Sequence, residues 1–360
     1  VGIDSRWYVI EPDAAFFQVT KKLHHCLQGD DEWFSDGETN LYISHNREAA
    51  ACLDAAGTEA DLWIIHDAQV VPFRNYSRTE SPAVWVCHLD TTKPGEHVRQ
   101  MLLFLLSNYE RIVFSMPEYR LEGVDPAKVS VIPPAIDPLS PKNQALPRHV
   151  AKGFLARLGI DLARPLVTQV SRFDRWKDPW GVIDAYRLVK EGIPELQLAL
   201  VGAMTAKDDP EAVEVFDAVK QCAQDDPDIH LFSSPDIIGD LEVGAFQCGS
   251  EVIVQKSLRE GFGLTVTEAM WKGTPVVGGD CGGIRQQITD GETGFLVKGA
   301  QDCAQRIVEL VKNRELARRM GEKARESVRK NYLMPRLLRD YLELALEVLT
   351  TKPRALKVAV

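Results

Sequence analysis

Short apolar runs alternate with longer amphipathic stretches along the chain, and this pattern predicts the elements of the fold. The runs at 61–65 and 83–87 are almost purely apolar, which is typical of strands buried on both faces of a parallel sheet, and a further strand is predicted at 165–170. Amphipathic stretches of helical length separate such runs. The alternation of strands and helices predicts an α/β fold with doubly wound parallel sheets.

Three further elements are predicted near the N-terminus. Residues 6–10 form an apolar run that predicts a strand, and 13–27 has the pattern of a helix for which Asp13 is the N-cap. A second helix is predicted at 47–56.

A change of pattern between Val129 and Pro141 predicts two domains. This segment begins as a strand and becomes rich in proline, as a stiff interdomain linker would. A new series of strands and helices follows, so we assign the first domain to 1–140 and the second to 141–332. Apolar residues at three- and four-residue steps then predict an amphipathic last helix within 333–360.

One strand–turn–helix stretch, 251–273, concentrates candidate chemistry. Its glycine turn, with Gly261 and Gly263, lets backbone approach a ligand closely, and it places Glu260 on a loop and Glu268 in the following helix. Ligands bind at the carboxyl edge of such sheets, and a helix start suits a phosphate. Taken alone, the stretch fits a turn with two solvated glutamates equally well.

Two basic residues, Arg172 and Lys177, follow the first strand of the second domain and are predicted at the same sheet edge as Glu260. Arginine offers a rigid fork for phosphate oxygens and lysine a mobile point charge, so together they suit a diphosphate. The alternative is an ordinary charged loop.

In the first domain, two strands end in ionisable residues: His66 and Asp67 after one, and His88 after the next. This is the arrangement expected of an active-site edge. For His88 alone, a hydrogen-bonded histidine at a strand end is an equal alternative.

Composition and charge limit the classes of molecule that the protein is expected to bind. A net charge of −10 and a pI near 5.4 disfavour nucleic acid and anionic membranes as partners. The seven cysteines include no Cys-x-x-Cys pair, which favours a reducing cytoplasm and no structural zinc. The run at 101–106 is too short to span a bilayer.

These motifs resemble the large retaining glycosyltransferase family with the two-domain GT-B fold. The resemblance rests on Ser-Arg172 followed five residues later by Lys177, and on Glu260 and Glu268 in a Glu-Gly-Phe-Gly-Leu context. The linker at 131–143 and the stretch 259–273 resemble the trehalose-forming branch, which includes glycosyltransferring trehalose synthases and retaining trehalose phosphorylases.

The resemblance implies a role for each motif residue. Arg172 and Lys177 would bind the donor's phosphates and Glu268 its ribose, while Glu260 would hold hydroxyls of the donor glucose. His88 would contact the transferred glucose, and Asp67 and His66 would bind the acceptor. The backbone near the sugar and phosphate would be supplied by Gly261, Phe262, Gly263 and Leu264.

The resemblance also implies an activity: transfer of glucose from a nucleoside-diphosphate glucose to free glucose, giving trehalose, with the departing phosphate taking the acceptor's proton. No metal is required, and Mg²⁺ would enter only with the nucleotide sugar. Two domains would face a cleft, the last helix would cross back to the first domain, and a homodimer is allowed. We expect a cytoplasmic enzyme.

Two departures from the family pattern and two other functions stay open. Ala68 stands where proline is expected, and no glycine-rich loop precedes Arg6, so the chain is either a fragment or lacks that loop. A trehalose phosphorylase using glucose 1-phosphate would need no base or ribose pocket. An inactive sugar-binding relative would bind ligands without turnover.

Overall fold

The computed structural model describes residues 2–144, 146–202 and 210–351. These residues form two compact units, 2–132 with 339–351 and 133–338. Each unit contains a parallel sheet with helices around it, so the predicted α/β class is confirmed. The domain limits predicted at 140 and 332 stay predictions, and residues 352–360 of the predicted last segment lie outside the described residues.

In the first unit the described residues form a four-stranded sheet of order β1-β2-β3-β4 in which every neighbouring pair is parallel. The strands are β1 (Trp63–His66), β2 (Ala83–Val86), β3 (Arg111–Phe114) and β4 (Val129–Val131). The helices before β4 are α1 (Ala14–Leu27), α2 (Asp36–Ala55), α3 (Phe73–Tyr76) and α4 (Glu96–Leu106). All four residues of β2 are buried, as the apolar run predicted.

Helix capping sets the starts of the first two helices. Asp13 caps α1 as predicted, because its carboxylate accepts a hydrogen bond of 2.8 Å from the backbone N–H of Phe16. Helix α2 begins 11 residues before the predicted start at 47. Ser35 and Glu38 form a reciprocal capping box there, and this spacing is a local signal for a helix start.

The strand predicted at 6–10 is wrong. Among the described residues of this unit, 6–10 form coil and are not part of the sheet. Trp7 and Val9 are 81% and 82% exposed. An apolar run becomes a strand only when a neighbour supplies backbone partners, and no strand among the described residues pairs with 6–10.

In the second unit the described residues form a six-stranded parallel sheet of order β10-β9-β8-β5-β6-β7. The strands are β5 (Leu166–Val170), β6 (Gln197–Val201), β7 (Ile229–Phe232), β8 (Val252–Gln255), β9 (Val276–Gly279) and β10 (Phe295–Val297). The helices are α5 (Arg148–Arg157), α6 (Pro179–Lys190), α7 (Pro210–Ala223), α8 (Asp240–Gly249), α9 (Leu264–Trp271), α10 (Gly282–Gln287), α11 (Ala300–Lys312) and α12 (Arg314–Asn331). β5 and β8 are neighbours, so the loops that follow them lie side by side.

Two helices of this unit were not predicted. Helix α5 buries Ala151 and Leu155, and Phe154 and Leu158 pack against the same core, so its apolar residues do recur at three- and four-residue steps. Helix α10 begins at glycines 282 and 283, which the sequence had suggested were part of a loop. Glycine lowers helix propensity, and here close packing of backbone overrides that cost.

The last helix, α13 (Met334–Thr351), belongs to the second unit up to residue 338 and to the first unit from 339 onward. Leu344 and Val348 are buried within the first unit, where Glu347 forms an ion pair with Arg111. Among the described residues, none of the helices has the length and apolar character needed to cross a membrane.

Candidate active site

The loop between β8 and α9 carries Glu260 at the carboxyl edge of the second sheet. Gly263 ends this loop with a φ of +84°, a left-handed conformation that glycine adopts without strain. A Cβ atom at position 263 would lie 3.1 Å from Cγ of Glu260. Glycine at 263 therefore serves two purposes: it permits the turn, and it leaves room for the glutamate side chain.

The structure brings Lys177 and Glu260 together. Nζ of Lys177 lies 2.7 Å from Oε2 of Glu260, and the hydroxyl of Ser257 donates to the same oxygen at 3.2 Å. The side chains of Lys177 and Glu260 are only 17% and 9% exposed. Ion pairs are stronger where water is partly excluded. This contact therefore holds Lys177, which is predicted to bind phosphate, against Glu260, which is predicted to bind the sugar.

Arg172 lies on the loop after β5 with its side chain 70% exposed. Its guanidinium is 3.2 Å from Oδ2 of Asp174, whose other oxygen accepts a hydrogen bond of 2.8 Å from the backbone N–H of Trp176. Asp174 therefore shapes the turn and contacts Arg172 at the same time. An exposed guanidinium at this edge is accessible to an anion.

Contacts that the sequence analysis missed tie the two loops together. The backbone N–H of Leu258 donates to the carbonyl of Trp176 at 2.8 Å. The guanidinium of Arg259 lies 4.9 Å from the centre of the Trp176 indole, in cation–π range. Lys256 forms a buried ion pair with Asp178, the N-cap of α6. These partners lie about eighty positions apart in the chain, so no local pattern indicated them.

Glu268 is buried within α9, with a side chain only 3% exposed. Its Oε1 lies 2.6 Å from Nζ of Lys142, and its Oε2 accepts a hydrogen bond of 2.9 Å from the amide of Gln247. Nζ of Lys272 donates to the other amide atom of Gln247, the oxygen, at 2.8 Å. Burial lowers the pKa of Lys272 to about 8, although the negative charge of Glu268 partly opposes that shift.

The residues around Glu268 were not predicted. The effect of the Glu268 charge on Lys272 has a local signal, because Lys272 follows Glu268 by four residues, about one helical turn. Lys142 and Gln247 come from the linker and from α8, and only the fold brings them to α9. A carboxylate this well enclosed is far from the solvated glutamate that was the alternative interpretation.

In the first unit, the two predicted histidines lie together. β1 and β2 are parallel neighbours, which places His66 beside His88. Nδ1 of His66 is 3.0 Å from Nε2 of His88, and the rings stack at 5.3 Å. One nitrogen must donate and the other accept. Outer parts of both residues are exposed, but partial burial lowers the pKa of both imidazoles from the ordinary value of 6.5. The pair is therefore neutral near pH 7.

Asp67 lies next to this histidine pair in an unusual backbone conformation. Its φ is +72°, which is costly for a residue other than glycine and which proteins often accept at functional sites. Its side chain accepts a hydrogen bond of 2.9 Å from the N–H of Ala68. Nε2 of His24, on α1, lies 3.5 Å from the carboxylate. His24 was not singled out from the sequence, because it fits an ordinary helix pattern.

The chain is similar to known proteins in both sequence and fold. Residues 154–327 match the family model described as "Glycosyl transferases group 1", and residues 1–121 match "Trehalose synthase, N-terminal domain". The fold is similar to that of an alpha,alpha-trehalose 6-phosphate synthase from Burkholderia multivorans, with a TM-score of 0.77 at 18% identity over 93% of this chain and 80% of that one. Two parallel-sheet domains and this family match define a glycosyltransferase of the GT-B fold, which confirms the predicted class.

Relatives of known function narrow the class. A trehalose synthase of Rubrobacter xylanophilus is 44% identical over 97% of this chain and 84% of its own length. A trehalose phosphorylase of Grifola frondosa is 26% identical over 91% of this chain but only 50% of its own length. The chain belongs to the trehalose synthase family, as the resemblance in the sequence indicated.

Proposed function

We propose that the protein is a retaining glucosyltransferase that forms trehalose, reversibly, from a nucleoside-diphosphate glucose and free glucose. The observation that supports this most is the contact between Lys177 and Glu260, with the exposed Arg172 guanidinium on the loop that also carries Lys177. Two cations suit a leaving diphosphate, and the carboxylate suits sugar hydroxyls. The match to trehalose synthases over most of their length supports the choice of product.

In the proposed reaction, the bond from C1 of the donor glucose to the diphosphate oxygen breaks. A bond from C1 to an oxygen of the acceptor glucose forms on the same face of the sugar. The acceptor's hydroxyl proton passes to the departing phosphate oxygen, so atoms and charge balance. Arg172 and Lys177 stabilise the negative charge that develops on the leaving group, and no metal is needed for that role.

The remaining residues bind and orient the substrates. Glu260 holds hydroxyls of the donor glucose and positions the reacting carbon, and Glu268 binds the ribose. His88 contacts the transferred glucose, and His66 and Asp67 bind the acceptor. Because the histidine pair is neutral near pH 7, it can donate and accept hydrogen bonds without adding positive charge beside the sugar.

A product assay with the full chain tests the proposal. Trehalose is incubated with nucleoside diphosphates in one reaction and with inorganic phosphate in another. The proposal expects a nucleoside-diphosphate glucose in the first and no glucose 1-phosphate in the second. The reverse result would identify a phosphorylase, which similarity to fungal trehalose phosphorylases makes the main alternative. Ligand binding in calorimetry without turnover would indicate an inactive sugar-binding relative.

A further inference from the structure

The carboxylate proposed to receive the ribose is already engaged. One oxygen of Glu268 lies 2.6 Å from Nζ of Lys142, and the other accepts from the amide of Gln247 at 2.9 Å. Only 3% of the Glu268 side chain is exposed. A ribose hydroxyl that is to donate to this carboxylate needs an oxygen with open access, so at least one of the two neighbours must move or share its acceptor.

Of these two neighbours, Lys142 is the one able to move. Gln247 is fully buried in α8, and Lys272 holds its amide oxygen at 2.8 Å. The Lys142 side chain is 34% exposed, and its unbranched stem has many rotamers. Displacing Gln247 would open the interior of the unit, whereas displacing Lys142 would return an ammonium group to water.

The backbone that carries Lys142 is anchored separately from its side chain. The carbonyl of Asn143 accepts a hydrogen bond of 3.1 Å from the indole of Trp271, at the end of α9. The side-chain amide of Asn143 donates to the backbone carbonyl of Asp137 at 3.0 Å. Asn143 is only 4% exposed. The Lys142 ammonium can therefore leave Glu268 while the main chain of this segment stays in place.

We propose that Lys142 occupies the ribose-binding position of Glu268 in the absence of nucleotide and that ribose hydroxyls displace it when nucleotide binds. This inference rests on the proposed function, which assigns the ribose to Glu268. The ammonium and the hydroxyls are all hydrogen-bond donors, and they compete for one carboxylate. Lys142 thus weakens the contribution of the ribose hydroxyls to nucleotide binding. It also favours release of the nucleoside diphosphate after transfer.

The test separates the ribose contribution from every other part of binding. ADP, GDP, TDP and UDP are screened by calorimetry against the full chain, and the one that binds most tightly is compared with its 2′,3′-dideoxy form. The ratio of the dideoxy Kd to the parent Kd reports the ribose hydroxyls alone. We expect this ratio to be at least about threefold larger in Lys142→Met than in the wild type. Lys142→Gln, which keeps a neutral donor, should fall between them.

Two controls make the outcome specific. Lys323→Met removes the same charge from a side chain that is 61% exposed on α12, and it should leave the ratio unchanged. Glu268→Gln should lower the ratio in the wild-type background. Thermal melts of each variant confirm folding, and Lys142→Gln keeps the test valid if Lys142→Met is unstable.

Each result leads to a different conclusion. An unchanged or smaller ratio in both Lys142 variants, together with a lower ratio in Glu268→Gln, overturns the inference and leaves the ribose assignment intact. An unchanged ratio in Glu268→Gln overturns the ribose assignment and the inference that rests on it. Absence of nucleotide binding by the wild type overturns the proposed function itself.

Discussion

Nζ of Lys177 lies 2.7 Å from Oε2 of Glu260, although the two residues are 83 positions apart in the chain. Each side chain comes from a loop that follows a strand, and β5 and β8 are adjacent in the sheet. Both side chains are mostly buried, so each charge is stabilised by the opposite charge of the other. The pair therefore contributes both to the stability of the second unit and to the proposed chemistry, and substitutions can separate these two effects.

We predict that Lys177→Met and Arg172→Ala both lower kcat by at least about tenfold, or roughly 1.4 kcal/mol, because both cations stabilise the leaving diphosphate. Their effects on stability should differ. Loss of Lys177 removes the 2.7 Å ion pair with the buried Glu260 carboxylate and should cost about 1–3 kcal/mol of unfolding free energy. Loss of the exposed Arg172 should change it by less than about 0.5 kcal/mol.

Steady-state kinetics and urea denaturation measure these two quantities. The double variant Lys177→Met with Glu260→Gln provides the matched control, since it removes both charges of the pair. Its stability should recover part of the loss while its activity stays low. Wild-type kcat in both single variants would refute the assignment of these cations to the leaving group.

A second prediction separates the two glutamates. Glu268→Gln should mainly raise the KM for the donor, because contact to the ribose is the same in the ground state and in the transition state. Glu260→Gln should mainly lower kcat, because its contact to the reacting sugar changes as the bond breaks. Initial rates over a range of donor concentrations measure both constants. If the two variants change kcat and KM in the same proportion, the division of roles is wrong.

The elements predicted best from the sequence are those whose pattern is local. Helix α1 with its Asp13 cap, and the strand–turn–helix around Glu260, lie within a few residues of where the apolar period placed them. The strand at 6–10 failed because strand formation depends on a partner elsewhere in the chain. The first half of α2 was not predicted, although Ser35 and Glu38 have the spacing of a capping box.

The residues of the candidate site also divide into those with a signal in the sequence and those without one. The sequence predicted that Lys177 and Glu260 share one sheet edge, because strand ends of one parallel sheet meet there, and the structure shows them in contact. Lys142 and Gln247 were missed, because their contact with Glu268 depends on how the linker and α8 pack against α9. Long-range pairing of this kind leaves no periodic signal in the sequence.

Gly283 provides a third prediction. A Cβ atom at this position would lie 2.4 Å from Cα and 2.6 Å from the carbonyl oxygen of Phe262, so an alanine would push directly against backbone. Gly283→Ala should destabilise the second unit by about 1–3 kcal/mol and shift the loop that carries Glu260. Gly299→Ala is the matched control, since its Cβ meets nothing within 4 Å. Thermal melts and kcat compare the two, and equal behaviour would contradict the proposed packing constraint.

The histidine pair gives a fourth prediction, on the acid side of the pH profile. The negative charge of Asp67 raises the pKa of both His66 and His88, against the lowering by burial. Asp67→Asn should therefore lower both pKa values further, so the neutral pair should persist to lower pH. We expect the acid limb of the kcat/KM profile to move to lower pH in this variant, even if its maximum rate falls. A limb that stays in place or moves to higher pH would exclude the pair as its origin.

Lys272 gives the last prediction, on stability at alkaline pH. Its pKa in the folded protein is about 8, below the ordinary value of 10.5, because burial disfavours the charged form. Between these two values the unfolded chain holds a proton that the folded chain has released, so the free energy of unfolding rises with pH in this window. The penalty for burying the ammonium is complete below pH 8 and disappears above 10.5. Wild type should therefore gain stability relative to Lys272→Met as pH rises.

Urea denaturation of both proteins at pH 7.5, 8.5 and 9.5 tests this, since other groups that titrate in this range are common to the two and cancel in the difference. Glu268→Gln gives an internal check. The charge of Glu268 raises the pKa of Lys272, so removing that charge should lower the pKa and start the gain in stability at a lower pH. A difference between wild type and Lys272→Met that stays constant from pH 7.5 to 9.5 would show that Lys272 does not release its proton in this range. The buried network around Glu268 would then hold a charged lysine throughout.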